Sequence, residues 1–190
     1  MSNPPLHLAV IIGSTRDGRF GPTIANWFVT QCERRTDLAI DVIDLAEVPL
    51  PAVFPGGRDV GLAAYTERID RADAIVVVTP EYNHGYPASL KQAIDVANAE
   101  WQAKPVAFVS YGGASGGIRA VEQLRQVFAE LHMVTIRSTV SFHGAWLLFD
   151  ASGRLVEPER HNASAKVMLD ELTWWASALR TARASSPYAA

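Results

Sequence analysis

Residues 6–21, LHLAVIIGSTRDGRFG, join an apolar run to a glycine-rich loop. The apolar run, 6–12, is nearly continuous, which is typical of a strand buried on both faces of a parallel sheet. The loop that follows holds three glycines, two hydroxyl side chains and two arginines. A strand that leads through such a loop into a helix surrounds an anion with backbone N–H groups. The stretch therefore predicts a parallel α/β fold with an anion site in its first loop.

Four further apolar runs predict four more strands, and helical patterns lie between them. The five predicted strands are residues 6–12, 38–45, 74–80, 105–111 and 133–140. The apolar residues that recur at helical spacing are Ile24, Trp27 and Phe28; Leu62, Tyr65 and Ile69; Leu90, Ile94 and Ala97, after Pro87 as the first helical residue; Ile118, Val121, Leu124, Phe128 and Leu131; and Met168, Leu169, Leu172, Trp175, Ala176 and Leu179. We interpret these stripes as facing the core. Five strands alternating with five helices predict a doubly wound five-stranded parallel α/β sheet in the order 2-1-3-4-5.

Length, charge and cysteine content restrict the class of protein. A chain of 190 residues predicts a single domain over 1–190, with a core at about 6–182 and a disordered tail at 183–190. The net charge of −3 gives no reason to expect nucleic acid or a membrane surface as a partner. Cys32 is the only cysteine, and no histidines or carboxylates have metal-ligand spacing, so neither an intramolecular disulfide nor a metal site is expected. The sequence has no signal-peptide pattern and no apolar stretch of roughly 20 residues, so we expect a cytoplasmic protein.

The predicted topology places the functional site at one edge of the sheet. In an open parallel sheet, ligands bind beyond the carboxyl ends of the strands, at the point where the strand order reverses. For the order 2-1-3-4-5 this point lies between strands 1 and 3. The loops after strands 1, 3 and 4 should therefore surround one crevice. They are GSTRDGRFG (13–21), PEYNHGYPAS (80–89) and SYGGASGG (110–117).

The first loop is close to two nucleotide-binding motifs but matches neither. Gly13 and Gly18 have the spacing of the triphosphate-binding P-loop. Arg19 and Phe20, however, stand where that motif needs a lysine and a magnesium-binding hydroxyl. Thr15 occupies the second glycine position of the dinucleotide motif G-x-G-x-x-G, so that motif fails as well.

Two hydroxyls and one arginine remain in this loop for an anion. Ser14, Thr15 and Arg16 precede a helix that is predicted to begin near Gly21. Hydroxyls, backbone N–H groups and a guanidinium at a helix N-terminus suit a terminal phosphate monoester. The alternative is an ordinary strand-to-helix turn whose hydroxyls cap the helix.

The second loop, PEYNHGYP (80–87), combines an aromatic ring, an amide and a glycine at a strand end. These features suit a flat heteroaromatic ligand, which packs on a ring and accepts hydrogen bonds from backbone N–H groups. The alternative is a proline-bounded turn with a surface tyrosine. His84 has no evident partner in the sequence, so no catalytic role is assigned to it.

The third loop contains G-x-S-x-G at 113–117, which is also the nucleophile motif of α/β hydrolases. An esterase is therefore an alternative, with Ser115 as the nucleophile and Asp150 and His161 as the later triad members. Two observations count against it. His161 is predicted to lie at the start of the last helix, and the other two loops would have no function.

Together, the three loops resemble those of the NADPH-dependent FMN reductases, which have a flavodoxin-like fold. The resemblance covers about residues 7–140, and its most specific part is PEYN at 80–83 followed by P-x-S-L-K at 87–91. It implies tightly held FMN and a reduced nicotinamide, NADPH or NADH, as the electron donor. It also implies a small acceptor (a flavin, quinone, azo compound or chromate) and a homodimer or homotetramer with the flavin site near the subunit interface.

The resemblance also assigns roles to individual residues. The FMN phosphate would be held by Ser14, Thr15 and Arg16, helped by the backbone around Phe20 and Gly21. The isoalloxazine ring would be bordered by Pro80, Glu81, Tyr82 and Asn83, with main-chain N–H groups directed at its N5 and O4 edge. Its pyrimidine side would be bordered by Tyr111, Gly112 and Gly113. No catalytic side chain is implied, because the hydride chemistry belongs to flavin N5.

One departure from the family concerns the first loop. Many members have a serine at the position of Arg19 and an asparagine at the position of Gly21. Arg19 would either supply a second cation for the phosphate or point to solvent, and the sequence leaves both open. Because donor and acceptor would share one site, the resemblance also implies ping-pong kinetics.

The alternative from another class is a non-enzymatic flavodoxin-like electron carrier or a flavin-binding sensor. Such carriers are strongly acidic and have a phosphate loop rich in serine and threonine. This chain has a net charge of only −3 and carries arginine in that loop, which favours the reductase. No motif specifies the physiological acceptor or the choice between NADPH and NADH.

Overall fold

The computed structural model describes residues 4–51, 53 and 60–189, and its centre is a five-stranded parallel sheet. The strands are β1 (Leu6–Ile12), β2 (Leu38–Asp44), β3 (Ala74–Pro80), β4 (Pro105–Gly112) and β5 (Val134–His143). Their order is β2-β1-β3-β4-β5, so the predicted topology and flavodoxin-like fold are confirmed. β5 extends three residues beyond its predicted end at 140.

Five α-helices cover the sheet in the described part of the chain. They are α1 (Gly21–Cys32), α2 (Val60–Arg71), α3 (Ala88–Asp95), α4 (Ile118–Glu130) and α5 (Glu159–Ser185), with 3₁₀ turns at Ala99–Trp101 and Ala145–Leu147. α3 begins one residue later than predicted, with Pro87 as its N-cap, and ends before Ala97. α5 continues through Ser185, so the first three residues of the predicted disordered tail are helical. None of the described helices has the length and apolar character needed to span a bilayer.

The core has two layers, because successive residues of a strand point to opposite faces of the sheet. One layer lies between the sheet and helices α1 and α5, and the other between the sheet and helices α2, α3 and α4. β3 and β4 are buried along their whole length, which explains their continuous apolar sequences. The predicted core position of Ile118 is wrong. This side chain is 48% exposed, because the buried stripe of α4 begins only at Ala120.

The strand register brings four loops to the same edge of the sheet. The residue pairs nearest this edge are Ile12–Val78, Pro80–Tyr111 and Gly112–His143. The loops after β1, β3 and β4 therefore begin side by side, as the topology predicts, and the segment after β5 joins them.

Candidate functional site

A cavity of about 660 Å³ lies at the carboxyl edge of the sheet, within the size range of small-molecule sites. It is lined by Arg16, Gly18, Phe20, Pro80, Glu81, Tyr82, Asn83, Tyr111, Gly112, Gly113 and Trp146. The residues that the sequence assigns to FMN all line it except Ser14, Thr15 and Gly21. A wider depression of about 800 Å³ lies on β5, α4 and α5 and includes none of them.

Ser14 and Gly21 form the packed base of the first loop. Ser14 is fully buried, and Tyr111 donates a hydrogen bond from its hydroxyl to Ser14 Oγ over 3.2 Å. A Cβ atom on Gly21 would collide with Ser14 Oγ and would lie 3.0 Å from both Ile12 Cγ2 and Tyr111 Oη. The position therefore requires glycine. The Ser14 side chain thus connects the first loop to β4 beneath the cavity wall.

The backbone of this loop offers unpaired hydrogen-bond donors. The N–H groups of Ser14, Thr15 and Arg16 donate to no acceptor among the residues that the structure describes. The N-cap of α1 is Phe20, which makes no side-chain capping bond, and a proline follows in the first turn. Within the described residues, neither the Ser14 nor the Thr15 hydroxyl bonds an N–H group of α1, and Ser14 Oγ instead accepts from Tyr111, so the alternative in which the loop hydroxyls cap the helix is wrong. Free N–H groups next to an uncapped helix N-terminus have the chemistry that suits an anion.

Arg19 holds the first loop to the end of β2. Its guanidinium makes a bidentate pair with Asp44 over 2.5 and 2.7 Å and donates to the carbonyl of Ser14 over 2.8 Å. Hydrogen bonding to Asp44 raises the pKa of Arg19. Burial raises the pKa of Asp44, but hydrogen bonds from Arg19 and the backbone lower it more, so it lies below its ordinary value. Arg19 is thus neither a free cation for phosphate nor directed to solvent.

Arg16 is the cation that remains available in this loop. Its side chain is exposed, and it forms no ion pair with any described residue. Its guanidinium carbon lies 4.8 Å from the centroid of the Tyr82 ring, which is cation–π distance. Arg16 therefore spans the first and second loops across the cavity.

The second loop is a two-residue hairpin turn. Tyr82 and Gly85 exchange backbone hydrogen bonds over 2.8 and 3.0 Å, and the two residues between them have positive φ angles, 50° for Asn83 and 70° for His84. Turns of this type favour asparagine and glycine. Gln123 of α4 donates to the His84 carbonyl over 3.1 Å. The N–H groups of Asn83 and His84 have no acceptor within the described residues and remain free to donate.

Glu81 holds the second loop to the start of α4. Its side chain is 5% exposed and is paired with Arg119 at 2.5 Å, while its backbone N–H donates to the carbonyl of Tyr111. Burial raises the pKa of Glu81, but hydrogen bonds from Arg119 and Ser115 lower it more, so the carboxyl group is ionised at neutral pH. Glu81 is therefore an electrostatic anchor rather than a proton donor.

Side-chain hydrogen bonds fix the third loop. Ser110 and Ser141 both donate to the carbonyl of Gly116, over 2.8 and 2.7 Å. Gly116 and Gly117 have φ angles of 59° and 87°, and a Cβ atom on either one would come within 3 Å of neighbouring atoms. The loop thus has a single tight conformation beside the cavity.

The esterase alternative is contradicted by the geometry. The ring of His161 is partly buried and stacks on Phe142, with centroids 4.3 Å apart and an interplanar angle of 3°, where α5 packs on β5. Asp150 binds Ser152 and Arg154 within its own turn. Neither side chain contacts Ser115 in the described structure, so no triad forms. Nor do any three histidine, cysteine, aspartate or glutamate side chains of the described residues group as a metal site.

Two residues of the cavity wall are absent from the sequence-based assignment, Gly18 and Trp146. Gly18 lies inside the predicted phosphate loop and has a positive φ of 65°. Trp146 comes from the segment after β5, which lies outside the three loops of the predicted crevice. The signal available in the sequence is a tryptophan shortly after a predicted strand end.

The sequence model of the NADPH-dependent FMN reductase family matches residues 6–147 of this chain. The chain belongs to this family. A Schizosaccharomyces pombe protein named NAD(P)H-dependent FMN reductase is 42% identical over 135 residues, which cover 66% of this chain and 67% of that protein. A Pseudomonas putida quinone reductase is 32% identical over 177 residues, which cover 88% and 93%. The reductase is therefore an FMN-dependent oxidoreductase that takes electrons from NAD(P)H, and the electron-carrier alternative is not supported.

A solved structure supports the fold of the reductase independently. FerB, a flavoenzyme NAD(P)H:(acceptor) oxidoreductase from Paracoccus denitrificans, aligns with a TM-score of 0.71 over 90% of this chain and 98% of that chain. The sequence identity is 20%, so this likeness concerns the fold alone.

The chemistry of the site fits FMN. The first loop beside the cavity has unpaired N–H groups and the exposed cation of Arg16, and both suit a phosphate. The other walls are aromatic and glycine-rich, with free N–H groups in the turn at Asn83 and His84. A flat ring that carries a phosphate tail matches this distribution of donors and apolar surface.

Proposed function

We propose that the reductase transfers a hydride from NAD(P)H through FMN to a small quinone- or flavin-type acceptor. For a quinone, NAD(P)H, one proton and the quinone give NAD(P)⁺ and the hydroquinone. The single observation that carries this proposal is the convergence of a loop with unpaired N–H groups and an aromatic, glycine-lined wall on one cavity. The names of the Pseudomonas putida and Schizosaccharomyces pombe relatives support the two acceptor classes.

The phosphate end of the proposed site is built by the first loop. We propose that the N–H groups of Ser14, Thr15 and Arg16 and the Arg16 guanidinium bind the FMN phosphate, with the backbone around Phe20 and Gly21 supporting them. Charge-assisted hydrogen bonds of this kind contribute about 1.5–3 kcal/mol each. The buried hydroxyl of Ser14 acts through packing against Gly21 and Tyr111.

The ring end is built by the second and third loops. We propose that Pro80, Glu81, Tyr82 and Asn83 border one part of the isoalloxazine ring and that Tyr111, Gly112 and Gly113 border its pyrimidine side. Glu81 fixes the position of this wall through Arg119. When bound, FMN supplies the hydride chemistry, and the protein supplies orientation and polarity. Because Glu81 is ionised, it does not donate the proton that completes hydroquinone formation.

Arg16 gives a direct test of the phosphate end. Arg16→Ala is expected to weaken FMN binding by about tenfold or more, from the loss of one charge-assisted interaction. Arg137→Ala is the matched control, because Arg137 is also exposed but lies in the depression on β5. Equal FMN affinities for the two variants would contradict the placement of the phosphate.

Kinetics tests the shared cavity. Initial rates of the FMN-loaded protein, with NADPH and 1,4-benzoquinone varied together, are expected to give parallel double-reciprocal lines. Converging lines would mean that donor and acceptor occupy the protein together, and they would contradict the ping-pong proposal. NADH in place of NADPH, in the same assay, establishes the donor preference.

Assembly and location complete the proposal. We propose a homodimer or homotetramer in the cytoplasm, as the family resemblance implies. The fold uses no disulfide, since its single cysteine, Cys32, is buried and free, so a reducing compartment would not destabilise it. Sedimentation of the FMN-loaded protein measures the assembly, and a monomer at all concentrations would overturn that part.

A further inference from the structure

Trp146 is a large aromatic side chain exposed in the wall of the cavity. It is 59% exposed, although tryptophan is usually highly buried. It lines the cavity together with the ring of Tyr82 and the glycines of the third loop. The binding roles proposed above do not use it.

The other tryptophans have packing partners that Trp146 lacks. Their contacts are Trp27 with Phe142 and Asn162, Trp101 with Phe128 and the Ile94 carbonyl, and Trp174 with Trp175. Within the described residues, the ring of Trp146 has no aromatic partner and its indole N–H has no acceptor. Both the face and the N–H of this ring are therefore available to a ligand.

The backbone that carries Trp146 is firmly held. Gly144 has a left-handed φ of 60°, and its N–H donates to the carbonyl of Gly113 over 2.9 Å. Ala145, the next residue, is fully buried. The N–H of Leu147 donates back to the carbonyl of Gly144 and closes the 3₁₀ turn. An aromatic side chain on so short and well-anchored a turn is preorganised for contact with a ligand.

The indole reaches over the third loop. Its Cη2 atom lies 3.8 Å from the position that a Cβ atom on Gly113 would occupy, which is ordinary van der Waals contact. Gly113 borders the proposed ring end of the FMN site. The Trp146 ring therefore lies next to the place where an acceptor must approach the flavin.

We propose that Trp146 determines acceptor specificity by packing against planar aromatic acceptors, such as quinones and free flavins. This inference rests on the proposed function. Offset or edge-to-face packing of an aromatic pair favours a flat ring over a compact inorganic ion. The indole N–H also supplies one donor suited to a quinone carbonyl. An octahedral anion such as ferricyanide has no flat face to pack on the indole, so its reduction does not depend on that packing.

The variants Trp146→Ala and Trp146→Phe test this inference, with Trp174→Ala as the matched control. Trp174 is 65% exposed but lies on α5, outside the cavity lining. With FMN-loaded protein and NADPH, Trp146→Ala is expected to raise the KM for 1,4-naphthoquinone about tenfold with little change in kcat. Trp146→Phe should restore most of the affinity. Ferricyanide, of which two ions accept the electrons of one NADPH, should be reduced at the wild-type rate.

A binding measurement separates this inference from the proposed function. Calorimetric titration of the oxidised, FMN-loaded protein with 1,4-naphthoquinone needs no turnover. Weaker naphthoquinone binding to Trp146→Ala, with binding to Trp174→Ala unchanged, supports the inference. A wild-type protein that fails to oxidise NADPH would overturn the proposed function but would leave this binding result intact. Equal naphthoquinone binding to both alanine variants would overturn the inference. An equal loss of activity with ferricyanide and naphthoquinone would overturn it as well, because it would assign Trp146 to flavin positioning.

Discussion

Replacing Arg19 with methionine should loosen the phosphate loop without removing any group that touches FMN. The change keeps much of the aliphatic stem but deletes three hydrogen bonds, two to Asp44 and one to the Ser14 carbonyl. It also leaves the Asp44 carboxylate without its guanidinium partner. We expect both a lower free energy of unfolding and weaker FMN binding.

The burial of the pair sets the size of the effect. Exposed ion pairs contribute about 0.2–1 kcal/mol, whereas a hydrogen bond to a charged group in a protected site contributes about 1.5–3 kcal/mol. The side chains of Arg19 and Asp44 are 18% and 17% exposed, closer to the protected case. With partial screening by solvent, Arg19→Met should lower the free energy of unfolding by about 2–3 kcal/mol. FMN affinity should fall about tenfold, because the loop N–H groups lose their fixed positions.

The pH dependence follows from the Asp44 pKa. In the wild type, burial raises this pKa and Arg19 lowers it more, so the folded value lies below the ordinary value of about 3.9. The stabilisation by the pair is therefore complete above about pH 4 and is lost as the pH falls through the folded pKa. In Arg19→Met, burial remains and the pKa of Asp44 rises. The difference between variant and wild type should therefore be largest near neutral pH and shrink in acid.

Urea unfolding at neutral and acidic pH measures the stability difference, and equilibrium titration measures FMN affinity. Arg154→Met is the control, because Arg154 is 82% exposed in its pair with Asp150 and should cost less than about 0.5 kcal/mol. A double-mutant cycle with Asp44→Asn isolates the pair. The reasoning is refuted if Arg19→Met costs no more than Arg154→Met, or if the two substitutions add to within about 0.3–0.5 kcal/mol.

Three further predictions concern buried groups. Burial lowers the pKa of Lys104 to about 8, so between pH 8 and about 10.4 the unfolded chain binds more protons at this lysine than the folded protein does. The free energy of unfolding of the wild type should therefore rise over this range by up to about 3 kcal/mol relative to that of Lys104→Met. Parallel pH profiles of unfolding for the two proteins would contradict this. Burial raises the pKa of the Cys32 thiol to about 12, so Ellman's reagent should react with it only after unfolding in urea, and a rapid reaction of the native protein would refute its burial. Gly21→Ala should destabilise by about 1–3 kcal/mol through overpacking against Ser14, and Ser14→Ala should relieve part of that cost in the double variant; strict additivity in urea unfolding would argue against the collision.

The sheet and most of the cavity wall were predictable because their signals are local. Continuous apolar runs such as 74–80 indicate doubly buried strands, and the register of parallel strands then brings their loops together. Tyr82 and Asn83 line the cavity because they directly follow such a strand. Pattern and topology together were therefore enough to locate the cavity.

The remaining features depend on contacts between residues far apart in the chain. Arg19 forms an ion pair with Asp44, which lies 25 residues later in the chain at the end of a neighbouring strand. No sequence spacing predicts a pair of this kind. Trp146 enters the cavity because β5 extends beyond the end that its apolar pattern predicts. Ile118 has helical spacing with the apolar residues of α4 and is nevertheless exposed, because the buried positions of this helix begin only at Ala120.

Anaerobic titration of the FMN-loaded protein with NADPH, followed by the visible absorbance of the flavin, tests directly whether this protein is an FMN-dependent reductase. We expect one FMN to bind per chain and its absorbance to be lost within seconds of NADPH addition, at a rate compatible with ordinary enzymatic turnover. Arg16→Ala should show the same spectral change only at higher FMN concentration. A protein that binds no FMN, or whose bound FMN NADPH does not reduce, would contradict the central claim.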